Sequence, residues 1–321
     1  MTNKNTIPNR QAMCNTLIET ATRDENIVVL TSDSRGSASL KAYAEALPEQ
    51  MVEVGIAEQN IVGIAAGLAH SGKRPFAVSP ACFLSMRSIE QVKVDVAYSN
   101  MNVKLVGISG GVSYGALGMS HHSLQDFAVT RAIPNLQVLV PADRFETMAM
   151  FRELVKSSQP AYIRLGRNPV ADCYEHADYG FEIGKAVRMT QGDDITLIAT
   201  GETVRVALDA AELLGKQNIS AEVINIHSIK PLDTNAIISS ARKTGVVITV
   251  EEHSIHGGLG AAVVETLAME RDVVTKIIGF PDEELVTGTS PELFAHYGLE
   301  KNNLVKIARE MLGESYGDSE G

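Results

Sequence analysis

Short runs of β-branched and other apolar residues alternate along the chain with longer amphipathic stretches. Short apolar runs bounded by turn residues fit buried strands, and longer stretches with apolar positions every three or four residues fit helices with one face on a core. The runs at 27–31, 103–109, 138–140 and 162–165 therefore read as strands with helices between most of them, which is the rhythm of a parallel α/β sheet. A short strand beginning at Val52 runs through Gly55 into an apolar helix, and another beginning at Pro75 leads into a helix whose start carries Phe83, Met86 and Arg87. Residues 167–194 break the rhythm with Asn168-Pro169, Gly180, Gly184 and Gly192, leaving a short strand near 182–188. The pattern then restarts: a strand at 195–200, a helix at 203–214 stopped by Gly215, strands at 221–226 and 246–250, a helix at 259–269 and a strand at 275–280. This predicts a domain at 1–170, a connection at 171–193, a second α/β domain at 194–312 and a small acidic tail at 313–321 that frays.

Composition supports two ordinary domains. The chain has 321 residues, 45% of them apolar and 21% charged, which excludes disorder and fibrous repeats. Its formal charge of −11 offers no field for a phosphate backbone or an anionic bilayer, so neither nucleic acid nor membrane is an expected partner, and any anionic ligand must be met by local groups. Cys14, Cys82 and Cys173 are too scattered for a disulfide framework or a metal site. With a polar start, MTNKNTIPNRQ, no signal peptide and no apolar run of spanning length, a soluble cytoplasmic protein is expected.

Polar residues in unusual places lie mostly in the first half, while those of the second half fall at expected surfaces and caps, so the chemistry is expected in the first half. In VEVGIAEQN at 52–60, Glu58 opens an apolar helix. It reads equally as an exposed first-turn acid favoured by the helix dipole, or as a buried carboxyl whose raised pKa makes it a proton donor. The Gly63 and Gly67 pair would let another backbone approach this helix. Phe83 with Arg87 reads as a core aromatic with a surface cation, or as a ring-stacking shelf with a cation beside it. The glycine-rich segment from Gly107 to Ser123 follows a strand, where α/β folds place ligands, and matches neither a dinucleotide fingerprint nor a P-loop. Its adjacent His121 and His122 suit proton transfer or substrate contact better than a metal. Arg167, at the end of the 162–165 strand, reads as a phosphate or carboxylate clamp or as a solvated rim arginine.

Taken in order, VEVGIAEQN, the Phe83 to Arg87 shelf, GMSHHS, RAIPN, VPAD and IRLGR resemble the pyrimidine-binding domain of transketolase. ITLIATGETVRVALDAAE, IKPLD and EEHSIHGGLG similarly resemble its C-terminal domain, so the likeness runs from about Pro8 to Leu312. The implied fold is an α/β pyrimidine-type parallel-sheet domain that binds thiamine diphosphate, followed by a transketolase C-terminal-like α/β domain. The resemblance implies that Glu58 hydrogen-bonds the aminopyrimidine and favours the imino tautomer that deprotonates thiazolium C2. It implies that Phe83 stacks on the pyrimidine with Met86 or Arg87 beside it, that Asp33 lies near the thiazolium edge, that His121 contacts donor hydroxyls and the developing oxyanion, and that Arg167 and Ser37 bind the substrate phosphate.

Departures from the family pattern carry information. Leu117 stands where the family has an aspartate that contacts a substrate hydroxyl, and Ser109 where pentose-phosphate enzymes have a second loop histidine. A leucine leaves a hydroxyl there unpaired, which implies an unusual ketose phosphate as donor, apulose 4-phosphate for instance. No GDG motif with a following asparagine is present to hold Mg²⁺ and the diphosphate, so no metal site is expected in this chain. These absences imply a split transketolase in which an N-terminal, diphosphate-binding partner subunit holds the Mg²⁺, the two chains assembling as an α2β2 heterotetramer that acts on phosphorylated sugars. There are three rival readings. The first is the β subunit of a 2-oxo acid dehydrogenase E1 component, whose pattern the stretch PADRFETMAMFREL at 141–154 does not follow. The second is deoxyxylulose-phosphate synthase, which carries both halves in one chain, and the third is a non-catalytic relative, against which Glu58 argues.

Overall fold

In the computed structural model, which describes residues 5–313, the β-branched runs become strands covered on both faces. The tail expected to fray lies outside the described residues apart from Gly313. β1 (Ile27–Thr31), β2 (Met51–Glu53), β3 (Arg74–Pro80), β4 (Lys104–Ile108), β5 (Gln137–Leu139) and β6 (Ala161–Leu165) pair in parallel in the order β5-β6-β4-β3-β1-β2. β1, β4 and β6 are buried throughout, as a parallel sheet sandwiched between helices requires. Helices Asn9–Ala21 and Arg144–Leu154 cover one face through Met13, Leu17, Met150 and Phe151. Helix Glu58–His70 and a π-helical segment, Val92–Tyr98, cover the other through Ile61, Val62, Val92 and Val96.

From β1 the chain turns to one side to form β2 and then crosses to the other side to form β3. The crevice at the carboxyl ends of β1 and β3 is thus the switch point at which such sheets hold ligands. Ser32, just past β1, and Ser79, near the end of β3, share a buried hydrogen bond of 2.7 Å there.

The second half contributes β7 (Val187–Thr190), β8 (Ile195–Ala199), β9 (Ala221–Asn225), β10 (Ser228–Lys230), β11 (Val246–Ser254) and β12 (Val274–Phe280). Five of these form a sheet in the order β12-β11-β8-β9-β7, with β7 antiparallel at its edge. Helices Thr203–Gly215 and Lys301–Met311 pack on one face, and Thr234–Thr244 and Leu259–Leu267 on the other. β10 does not join this sheet. It leaves the second domain and pairs antiparallel with β5 on the first sheet, Ser228 opposite Leu139 and Lys230 opposite Val138. Among the described residues no helix is long and apolar enough to cross a membrane.

Several expectations shift for local reasons. The strand expected at 103–109 stops at Ile108 because Ser109 takes a positive φ of 55°, and the strand expected to run through Gly55 stops at Glu53, Gly55 having φ 72°. The strand placed near 182–188 lies instead at Val187–Thr190, where its edge pairing with β9 is available. Gly215 is the last residue of its helix rather than the stop beyond it, and Asn218 takes the positive φ that reverses the chain. Among the described residues no other backbone comes within 4 Å of a Cβ at Gly63 or Gly67; the nearest neighbour of one at Gly63 would be the Asp95 carboxylate at 3.9 Å.

The larger correction concerns the second half, whose polar residues were expected at surfaces and caps. Glu222, Asn225, His227, Glu251, Glu252 and His253 are all buried. Glu146 accepts hydrogen bonds from the side chains of Tyr174, Tyr179 and Asn225 and stands 3.2 Å from the His227 ring. Burial lowers the His227 pKa, but the hydrogen bond and charge of Glu146 outweigh it and the net shift is upward. A second cluster gathers on Arg164 of β6. Its guanidinium donates to the Glu252 carbonyl (2.6 Å) and carboxylate (3.2 Å) and lies 3.7 Å from Asp126. Charges buried this deeply persist because they are paired, and both clusters do their pairing across the domain boundary.

Candidate active site

Apart from Arg10 of the first helix, each side chain of the candidate site follows the carboxyl end of a strand in the first sheet. Beyond β2, Gly55 turns the chain with a backbone that other residues rarely adopt, and Glu58 becomes the first residue of its helix, 2% exposed. A carboxylate gains there from the unsatisfied N–H groups of the first turn. It is not alone: Nη1 of Arg87 donates to its Oε2 at 2.7 Å. Arg87 stands at the end of helix Ala81–Met86, which begins directly after β3, and its guanidinium lies 4.5 Å over the Phe83 ring. The cation therefore touches both the ring and the carboxylate.

β4 delivers the glycine-rich loop. Ser109, Gly111, Gly115 and Gly118 all take positive φ, and the chain folds back so that Gly111 and Ser123 bridge each other. The two histidines point apart. His121 presents its ring edge to Phe83 (5.2 Å between centroids) and to Tyr114 (5.6 Å), with the Ser120 hydroxyl 2.9 Å from Nδ1. His122 is buried against the Gly115 carbonyl at 3.1 Å, and that burial lowers its pKa. One ring packs among the aromatic side chains and the other is bonded back to its own loop.

β6 delivers Arg167, whose guanidinium lies 4.9 Å from the Tyr114 ring. Arg10, in the first turn of the first helix, donates from Nε to the Arg167 carbonyl at 3.1 Å and from Nη1 to the Ser37 carbonyl. Burial and the neighbouring Arg167 lower the Arg10 pKa. Among the described residues the ion pairs include neither Arg10 nor Arg167. Two guanidinium groups held together without a counter-charge are suited to an anion. Ser37 joins them through its backbone, its hydroxyl donating to the Ser34 carbonyl.

An unbroken series of contacts thus runs from Glu58 through Arg87, Phe83, His121, Tyr114 and Arg167 to Arg10 and Ser37. Asp33 is tied to it less directly. It lies just past β1 with φ 51° and an exposed side chain, its N–H held by Glu53 at 2.7 Å. Tyr114 and Arg10 touch the candidate residues although the sequence did not single them out: Tyr114 carried the signal of lying inside the glycine-rich loop, and Arg10 carried none. Leu117, 54% exposed, lines a cavity of about 620 Å³ with Tyr114, Arg167, Thr289 and Ser290, the last two from the second domain.

A buried acceptor beside a flat apolar ring fits a heteroaromatic ligand with N–H donors, so the donor set suits an aminopyrimidine. Among the described residues no three His, Cys, Asp or Glu side chains stand together in a way that could hold a metal ion.

Residues 5–171 match the family model for the transketolase pyrimidine-binding domain, and residues 184–304 match that for the transketolase C-terminal domain. The chain belongs to the transketolase family. It is 52% identical to one of the subunits of the apulose-4-phosphate transketolase of Phocaeicola vulgatus, over 96% of this chain and 98% of that one. It is 38% identical to the 6-deoxy-6-sulfo-D-fructose transketolase subunit SqwH of a Clostridium species, over 94% of each chain. A solved structure of a split-gene transketolase, an inactive beta4 tetramer, superposes with a TM-score of 0.88 at 36% identity over 97% of this chain and all of that one. Transketolase from Leishmania mexicana shares the fold at 21% identity and TM-score 0.80, this chain spanning 46% of it. The chain is one of the two kinds of subunit of a split transketolase and so implies a partner of the other kind, and its pyrimidine-binding domain implies dependence on thiamine diphosphate.

Proposed function

We propose that this chain supplies the pyrimidine-facing half of a thiamine diphosphate site that moves a two-carbon glycolaldehyde unit from a ketose phosphate to an aldose phosphate. When bound, thiamine diphosphate supplies a nucleophilic carbon on its thiazolium ring. Glu58 would hold the aminopyrimidine through its carboxylate, and Phe83 would give the ring an apolar face. Arg87 keeps the Glu58 carboxylate in place. His121 would meet the donor hydroxyls and the oxygen on which charge develops. Arg167 and Arg10, with Ser37 beside them, would take the phosphate, and Asp33 would stand at the rim near the thiazolium edge.

The observation that supports this reading is the contact series joining the buried Glu58 to Arg167, with a carboxylate beside an aromatic ring and cation at one end and a guanidinium at the other. The diphosphate and its Mg²⁺ would be held by the partner, in a cytoplasmic assembly of two copies of each chain.

The proposed donor is apulose 4-phosphate. Leu117 lines the cavity beside Arg167 where a hydroxyl-binding aspartate would otherwise stand, and the 52% identical relative carries that donor in its name. Competition among apulose 4-phosphate, xylulose 5-phosphate and 6-deoxy-6-sulfo-D-fructose, read as kcat/KM on the enzyme reconstituted from both chains, tests this. The highest value is expected for apulose 4-phosphate; a clear preference for either of the others overturns the donor assignment.

A further inference from the structure

The second domain adds no side chain to the contact series of the cleft, yet it grips the loop that carries His121. Oε1 of Glu252, on β11, accepts the Val112 N–H at 2.8 Å, while its Oε2 and main-chain oxygen take the Arg164 guanidinium. The Ser290 hydroxyl donates to the Val112 carbonyl at 3.2 Å, and the Ser254 N–H donates to the Leu124 carbonyl at 3.1 Å. These bonds fall on the neck of the loop, where Gly111 and Ser123 exchange N–H to carbonyl bonds of 3.1 and 2.8 Å. The fit leaves no slack. A Cβ at Gly111 would stand 2.1 Å from the Glu252 carboxyl carbon and 2.3 Å from Nη2 of Arg164, and one at Gly115 would stand 2.1 Å from the Gly288 carbonyl.

We propose that Glu252 is a positioning residue of the second domain, whose carboxylate pins the loop neck at Val112 and so sets where the His121 and Tyr114 rings stand in the cleft. The proposal rests on reading His121 as the donor-contacting group. A loop this rich in glycine is costly to order, and a buried carboxylate balanced by Arg164 is a strong acceptor on which to hang it. Asp126, Glu202 and His253 surround the same guanidinium and carboxylate, so the anchor is itself held from both domains.

The test uses the enzyme reconstituted with its partner chain and compares Glu252→Gln, Glu252→Leu and Gly111→Ala. Glutamine keeps an acceptor for Val112 and leucine removes it, while Gly111→Ala displaces the carboxylate from the loop side. Amide hydrogen exchange across 111–123 is expected to quicken about tenfold or more in Glu252→Leu and Gly111→Ala. The same two variants should lose on the order of 10- to 100-fold in kcat, since a displacement of about 1 Å in a positioned group costs that much. Thiamine diphosphate affinity, set in the proposed reading by the partner's hold on the diphosphate and by the groups around Glu58, should stay within about twofold, and Glu252→Gln should keep kcat within about threefold. Equal losses in Glu252→Gln and Glu252→Leu, unchanged exchange, or cofactor affinity falling in step with kcat would each overturn the proposal. Should Glu252→Leu fail to assemble, the other two variants decide. The exchange measurement needs no turnover, so it reports on the clamp even if Glu58→Gln were to show that the site reading itself is wrong.

Discussion

Glu58 and Arg87 are 29 residues apart and meet at 2.7 Å, each arriving from the end of a different strand. In the reconstituted enzyme, Glu58→Gln should lower transfer turnover by at least about 100-fold, the scale of proton-transfer catalysis. Because Arg87 is half exposed, the lost pair should change stability by no more than about 1 kcal/mol in urea titrations, and unchanged turnover would remove Glu58 from its role. Leu117→Asp makes a complementary test. It should shift the kcat/KM ratio about tenfold or more toward xylulose 5-phosphate, because a site that hydrogen-bonds a hydroxyl discriminates strongly for it. Being exposed, the position should tolerate the change within about 0.5 kcal/mol. Residues such as Glu58, Phe83 and His121 were legible in the sequence because they interrupt an apolar helix start or sit in a glycine-rich loop after a strand. Arg10 was not legible, since a cation in a first helical turn looks solvated until the fold brings it to Arg167. Glu252 was hidden for the opposite reason: in the run Glu251-Glu252-His253 it reads as surface charge, while in the fold it is buried against Val112 and Arg164 of the other domain.

At the scale of elements, buried strands were legible from their β-branched runs, and their ends moved where a positive φ ended the pairing, as at Ser109 and Gly55. The short β10 could not be read, because three residues carry no periodicity and its partner lies in the other half of the chain. Between these elements Glu202 gives a test of the domain boundary. Burial, with the nearby Glu252 adding to it and Arg164 opposing, pushes its pKa up to about 8. A raised carboxyl pKa means that the native state holds the proton more tightly than the unfolded chain, so the stabilisation is complete below the unfolded value and is lost as pH rises through about 8. Glu202→Gln cannot titrate. The stability of the parent protein relative to this variant should fall on the order of 1–3 kcal/mol between about pH 5 and 9, measured by denaturant titration. A flat difference would show that Glu202 is solvated in solution.

For the molecule as a whole, a net charge of −11 is compatible with the proposed anionic sugars, because in that reading Arg10 and Arg167 would act locally rather than through a broad positive field. The isolated chain should show no transfer activity above background, and activity should appear on mixing with the partner chain. Sedimentation should then give the mass of two chains of each kind, and turnover by the isolated chain would refute the shared site. The lending of β10 has an outcome for any attempt to divide the molecule. A single cut in the connection ahead of β7, within 171–183, would leave β5 without its outer neighbour if the halves parted, and expose a row of unpaired backbone groups on the open edge of the first sheet. The freed second domain would carry away a strand folded for a sheet it no longer has. The two domains are therefore sewn together at two places in the chain, and a protease that nicks the connection should leave a non-covalent pair rather than two separate products.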